Sequence, residues 1–141
     1  MGGEKEMKQL FFPVLFVCCL ISCFQEQKAD LVGEWYMEQM NSNGSVVREE
    51  IVFNDDGTYL WTRFLKEKAG SSVLDTDKGR YEVRIRYTHD SVAVPRIRFI
   101  SEDRKVAAVT ISYVVDSTTL TLIGEELNTL YTRVGETGGE K

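Results

Sequence analysis

The clearest periodicity in the chain is of two residues. Between Arg80 and Tyr87 the residues Tyr81, Val83, Ile85 and Tyr87 alternate with Arg80, Glu82, Arg84 and Arg86. Alternation of this kind marks a half-buried β-strand, because successive side chains point to opposite faces. It recurs where Ile97 and Phe99 alternate with Arg96 and Arg98. It recurs again where Val109, Ile111, Tyr113 and Val115 alternate with Ala108, Thr110 and Ser112, and it continues at Leu120 and Leu122. No stretch of the folded part holds a helical apolar period for long, and the whole chain has two prolines. The pattern predicts eight strands, at Gly33–Asn41, Ser45–Phe53, Thr58–Lys66, Gly79–Thr88, Pro95–Ser101, Val106–Val115, Thr119–Ile123 and Leu127–Val134.

Most connectors are short and rich in Asn, Asp, Ser and Gly, as hairpin turns require. Glu67–Lys78 and His89–Val94 read as longer loops. Parallel neighbours need long crossovers, so short links predict an up-and-down antiparallel order. A single sheet with one apolar face must cover that face. Closing the sheet into a barrel does so and removes both edges. An open sandwich is the alternative if the first and last strands do not pair. The Asp55-Asp56-Gly57 turn decides one register. A three-residue loop with Gly57 at positive φ sets Phe53 opposite Tyr59 and turns Trp61 inward. A two-residue loop would instead pair Phe53 with Thr58 and send Leu60 and Phe64 inward.

The N-terminal segment has a different pattern. After Lys8, residues Leu10 to Ile21 are apolar apart from Pro13, and Ser22-Cys23 follow. That is the layout of a secretory signal. A spanning helix needs about 20 apolar residues, more than this run supplies. The expected organisation is a signal peptide over residues 1–22, a polar tether over 23–30, a barrel over 31–134 and a flexible Gly/Glu-rich tail over 135–141.

Composition narrows the function classes. A chain of 141 residues leaves one domain after the signal. Its formal charge of −5, from 17 basic and 22 acidic residues, argues against nucleic acid as a partner and against general adhesion to anionic membranes. Of the three cysteines, Cys18 and Cys19 would leave with the signal, so the domain would hold no disulfide. The single histidine, His89, beside Asp90, has no nucleophile set against it by sequence and reads as a loop residue. Zinc needs several His or Cys ligands, and Asp55-Asp56 lacks the alternating carboxylates of a calcium loop. No catalytic residue, metal site or cofactor is expected, and the chain does not read as an enzyme.

Two groups of residues are candidates for binding. Arg84, Arg86, Arg96 and Arg98 lie on consecutive strands and would share an outer patch. That patch reads as a solvated face or as a dock for an anionic partner or lipid headgroup. The aromatics Tyr59, Trp61, Tyr81, Tyr87, Phe99 and Tyr113 would either fill a small barrel or line a ligand cavity.

Two resemblances add to this. Leu20-Ile21-Ser22-Cys23 resembles the lipobox of bacterial lipoproteins. It implies loss of the first 22 residues, a lipid on Cys23, and residence in the bacterial cell envelope, at the outer membrane or cell surface. The rival is a secretory signal with ordinary cleavage. Leu31-Val32-Gly33-Glu34-Trp35 resembles the Gly-x-Trp opening of lipocalins, whose last strand carries an Arg that packs on the Trp; here that is Arg133. With Phe53 to Tyr59, Gly79-Arg80-Tyr81 and Tyr131-Thr132-Arg133, the chain is similar to small lipocalin-like domains of bacterial lipoproteins over Leu31 to Val134. The resemblance implies that Gly33, Trp35 and Arg133 close the barrel. It also implies a lipid-anchored binding module for a small apolar ligand. The alternative is an envelope interaction protein with a filled barrel, meeting a protein or anionic partner through its outer face or loops.

Overall fold

The computed structural model describes Lys28 and residues 30–135. The lipobox residues Leu20, Ile21, Ser22 and Cys23, most of the tether and the tail beyond Gly135 lie outside the described residues. The strands are β1 (Gly33–Met40), β2 (Val46–Phe53), β3 (Thr58–Glu67), β4 (Gly70–Tyr87), β5 (Ala93–Ser101), β6 (Val109–Val115), β7 (Thr119–Ile123) and β8 (Asn128–Arg133). Each pairs antiparallel with the next, and β1 pairs with β8 through Trp35↔Arg133 and Tyr36↔Thr132. The result is a closed eight-stranded antiparallel barrel.

The up-and-down order gives the barrel two distinct ends. At the end we call the floor lie the incoming chain, the β2–β3, β4–β5 and β6–β7 turns, and the end of β8. At the mouth lie the β1–β2, β3–β4 and β7–β8 turns and the longer β5–β6 loop. Asp55, Asp56 and Gly57 form a three-residue loop, with Gly57 at φ +86° and Phe53 paired with Tyr59. The Asp56 carboxylate accepts the Thr58 N–H at 2.9 Å, and the Gly57 N–H reaches the Asn54 carbonyl at 3.2 Å. Local polar bonds and a glycine's freedom thus set the register that turns Ile51, Phe53 and Tyr59 inward.

The structure departs from the sequence reading in three places. Glu67–Lys78 is no loop: β4 begins at Gly70, leaving only Lys68 and Ala69 as the turn. From Gly70 to Thr76 every residue is exposed, so no buried face left an alternation to read. The hairpin carries an irregularity at Arg63/Phe64, where Leu74 is left without a partner. β5 starts at Ala93, which shortens the His89–Val94 loop, and β6 starts at Val109 rather than Val106.

The core fills the half of the barrel nearer the floor. Leu31, Trp35, Phe53, Ile97, Tyr113 and Leu120 are fully buried. The ring of Phe53 meets Tyr81 edge-on at 5.0 Å, and Tyr59 meets Phe99 edge-on at 5.1 Å. Each large apolar side chain buried this way contributes about 1.5–3 kcal/mol.

Candidate functional site: a cavity at the barrel mouth

The floor is sealed. Asp30 and Leu31 end a helical turn, and the Trp35 indole N–H donates to the Leu31 carbonyl at 2.8 Å. The Arg133 guanidinium lies 4.2 Å from the centre of the Trp35 ring. It donates to the Val32 carbonyl at 2.9 Å and to the Asp30 carbonyl. Gly33 passes beneath it at φ +137°, and a Cβ there would stand 2.9 Å from Arg133 Nη1. Gly33, Trp35 and Arg133 therefore meet in one packed layer.

The mouth is open. A cavity of about 500 Å³ lies above the core. Its walls are Ile51, Tyr59, Trp61, Phe99, Ile111, Leu122 and Tyr131, and its rim carries Asp75, Thr76, Asp77, Asp103, Val106 and Val109. Two polar groupings fix these walls. The Tyr59 hydroxyl donates to Asp77 Oδ2 at 2.6 Å, and the Ser101 hydroxyl donates to Asp77 Oδ1. The Tyr131 hydroxyl donates to Glu49 Oε2 at 3.0 Å, while Arg63 donates to Glu49 Oε1 through Nε at 3.0 Å and Nη2 at 2.9 Å. The Arg63 guanidinium also lies 5.0 Å from the centre of the Trp61 ring. Burial first, and then the adjoining carboxylate, holds the Tyr59 and Tyr131 phenols well above their usual value of 10.0. Both remain protonated donors at neutral pH.

Of the six aromatics singled out by sequence, Tyr59, Trp61 and Phe99 line the cavity. Tyr81 and Tyr113 do not; they are core residues below it. Tyr81 donates to the Asn54 carbonyl at 2.8 Å, and burial, followed by the charges of Asp56 and Asp55, pushes its pKa up to about 12. The Tyr113 hydroxyl is buried and has no hydrogen-bond partner among the described residues. Tyr87 shares the inward alternation, but it ends β4 beyond the barrel wall and is 56% exposed, so it lines nothing.

The four arginines occupy the outer face of β4 and β5. Arg84 is paired across the strands with Arg96, Arg98 with Glu82, and Arg86 with Val94. Arg84 also contacts Glu82 at 2.9 Å. His89 is exposed in the β4–β5 turn. Among the described residues no group of three His, Cys, Asp or Glu side chains is arranged to hold a metal ion.

Sequence reading missed Glu49, Arg63, Asp77 and Tyr131. The signal was there: Glu49 shares its parity with Ile51 and Phe53, Arg63 with Tyr59 and Trp61, and Asp77 with Tyr81. Compared with protein-family models, curated proteins and solved structures, the chain has no match in any of the three.

Proposed function

We propose that this chain is a lipid-anchored, lipocalin-like binding module of the bacterial cell envelope, and that it holds a small apolar molecule at the mouth of its barrel. The observation that carries the reading is the cavity of about 500 Å³ with its apolar and aromatic walls. Ligand pockets of about 300–1,000 Å³ combine such walls with a few convergent polar groups. The closed eight-stranded barrel and the stacking of Arg133 on Trp35 agree with the lipocalin-like part of the reading. The reading assigns no catalytic step and needs no cofactor. The anchor rests on Leu20-Ile21-Ser22-Cys23.

Uptake of the neutral dye N-phenyl-1-naphthylamine, which brightens in apolar surroundings, tests the binding reading. Saturable uptake by the folded protein is expected, together with a small molecule carried through native mass spectrometry of protein purified from its host. Absence of both overturns the reading. Cys23→Ala is expected to abolish fatty-acid incorporation and detergent-phase partitioning; a variant that keeps both overturns the anchor. A second reading has its own support in the pairing of Arg84 with Arg96. Like charges set in register on neighbouring strands repel unless an anion lies near them, so the outer face suits an anionic partner.

A further inference from the structure

The cavity is built twice from the same parts, and only one of the two sets is complete. On the β2–β3 side the Trp61 ring carries the Arg63 guanidinium at 5.0 Å, and Glu49 holds that guanidinium at 2.9 Å. Ring, carboxylate and cation are all present. Elsewhere around the cavity the rings of Tyr59 on β3 and Phe99 on β5 stand with the carboxylates of Asp75 and Asp77 on β4 and of Asp103 after β5. None of these three carboxylates has an ion pair among the described residues. Three carboxylates without a paired cation thus line an otherwise largely apolar hollow, while the Glu49–Arg63 pair stands behind its Tyr131 and Trp61 walls.

We propose that the molecule this cavity takes is an apolar body bearing one positive charge: an alkyl or aryl amine or a quaternary ammonium. The proposal deepens the binding reading above and rests on it. The apolar body lies against Ile51, Ile111 and Leu122, and the cationic head lies toward Asp75, Asp77 and Asp103. Aromatic faces attract cations, and the attraction grows as water is excluded. Asp77 keeps acceptor capacity for such a head, because a carboxylate offers about four lone-pair sites and Tyr59 and Ser101 occupy two. An anionic amphiphile meets the same carboxylates as like charges and is rejected. A neutral one gains only the apolar contact. The arrangement of Arg63 on Trp61 and Glu49 is the same recognition chemistry, already satisfied within the chain.

Displacement of bound N-phenyl-1-naphthylamine by three competitors of equal chain length separates these cases. They are octyltrimethylammonium, 1-octanol and octanoate, all below their micellar concentrations. Octyltrimethylammonium is expected to displace the dye at about one tenth of the 1-octanol concentration, the gain of a cation–π contact and an ion pair at a half-wet site. Octanoate is expected to be the weakest, and the preference for the cation is expected to shrink as salt screens the rim. In the Asp75→Asn/Asp103→Asn double variant the advantage falls to within about threefold, since two of the attracting charges are gone. That variant keeps an oxygen acceptor for the Thr76 and Lys105 N–H groups, so the fold survives. Asp77→Asn supplies an independent check on the third carboxylate. Failure of the folded protein to take up the dye, with no small molecule carried through native mass spectrometry, overturns the binding reading itself; a carried molecule without a positive charge overturns the cationic ligand alone. Dye uptake with equal displacement by octyltrimethylammonium and 1-octanol, stronger displacement by octanoate, or an undiminished preference in both variants overturns the cationic ligand alone.

Discussion

At the floor of the barrel, Arg133 lies 4.2 Å from the ring of Trp35 and donates to the carbonyls of Val32 and Asp30. At the mouth, Arg63 lies 5.0 Å from the ring of Trp61 and donates to the Glu49 carboxylate. The same pair of residue types serves two ends. What differs is the layer above each ring. Trp35 is capped by core and has no exposed surface, whereas Trp61 borders the cavity and is half-buried. At the floor, backbone carbonyls take the two Nη groups of a guanidinium whose ring side meets no water, while its Nε is buried without a partner among the described residues. At the mouth, the cation must be held by another charge, because nothing covers it. A cation on an indole is therefore a plug where the core reaches it and a wall where the core stops short.

The largest test of this difference is to remove each indole. Trp35→Ala is expected to lose about 3–5 kcal/mol in denaturant unfolding, the range for a fully buried large aromatic. Trp61→Ala is expected to lose measurably less, because its ring borders the open cavity and part of its surface is already wet. Equal losses would break the comparison.

Next in size is Gly33→Ala, at about 1–3 kcal/mol. The new Cβ meets Arg133 Nη1 at 2.9 Å, in a backbone region that L side chains rarely adopt. The same change made in an Arg133→Ala background should lose measurably less, since one partner of the clash is gone. Arg133→Lys follows at about 1 kcal/mol or more, because a lysine cannot stack as a plane while reaching two carbonyls. Arg63→Lys, with its side chain 41% exposed, is expected to stay within about 0.5 kcal/mol.

The pattern of what could be read in advance follows the same division. The strands of the floor half were legible because water lies on one side of them and core on the other. Tyr81 and Val83 are buried while Glu82 and Arg84 are exposed, so the alternation is written in the residue types. The turn at Asp55-Asp56-Gly57 was legible because its own side chains make its bonds. Toward the mouth the rule fails. Glu49, Arg63 and Asp77 point inward, yet their polarity reads as outward, because the interior there is half wet. The upper part of β4 has water on both faces, and its pairing rests on backbone bonds that no side-chain pattern records. Tyr87 failed for the opposite reason: its parity is right, but the wall ends before it.

The smallest test concerns a floor turn. Asp116 accepts the N–H groups of Thr118 and Thr119 and the Thr119 hydroxyl. These bonds lower its pKa from 3.8 to about 2. A depressed folded value means that its stabilising effect is fully present above about pH 4 and is lost as pH falls toward 2. Asp116→Ala should be less stable than the parent protein at neutral pH, and the gap should close in acid unfolding as pH approaches 2. A gap that persists there would remove the carboxylate as its cause.

The chain reaches the barrel at the floor, where the Lys28 ammonium lies 5.7 Å from the centre of the Tyr81 ring and 3.7 Å from where a Cβ on Gly57 would stand. Cys23 precedes Lys28 by five residues, which extend to about 18 Å at most. A lipid on Cys23 would therefore moor the barrel by its sealed end on a short leash, leaving the mouth as the end farther from the bilayer. Cargo would then be exchanged with the surrounding medium or with a visiting molecule, and not drawn sideways out of the membrane that carries the protein.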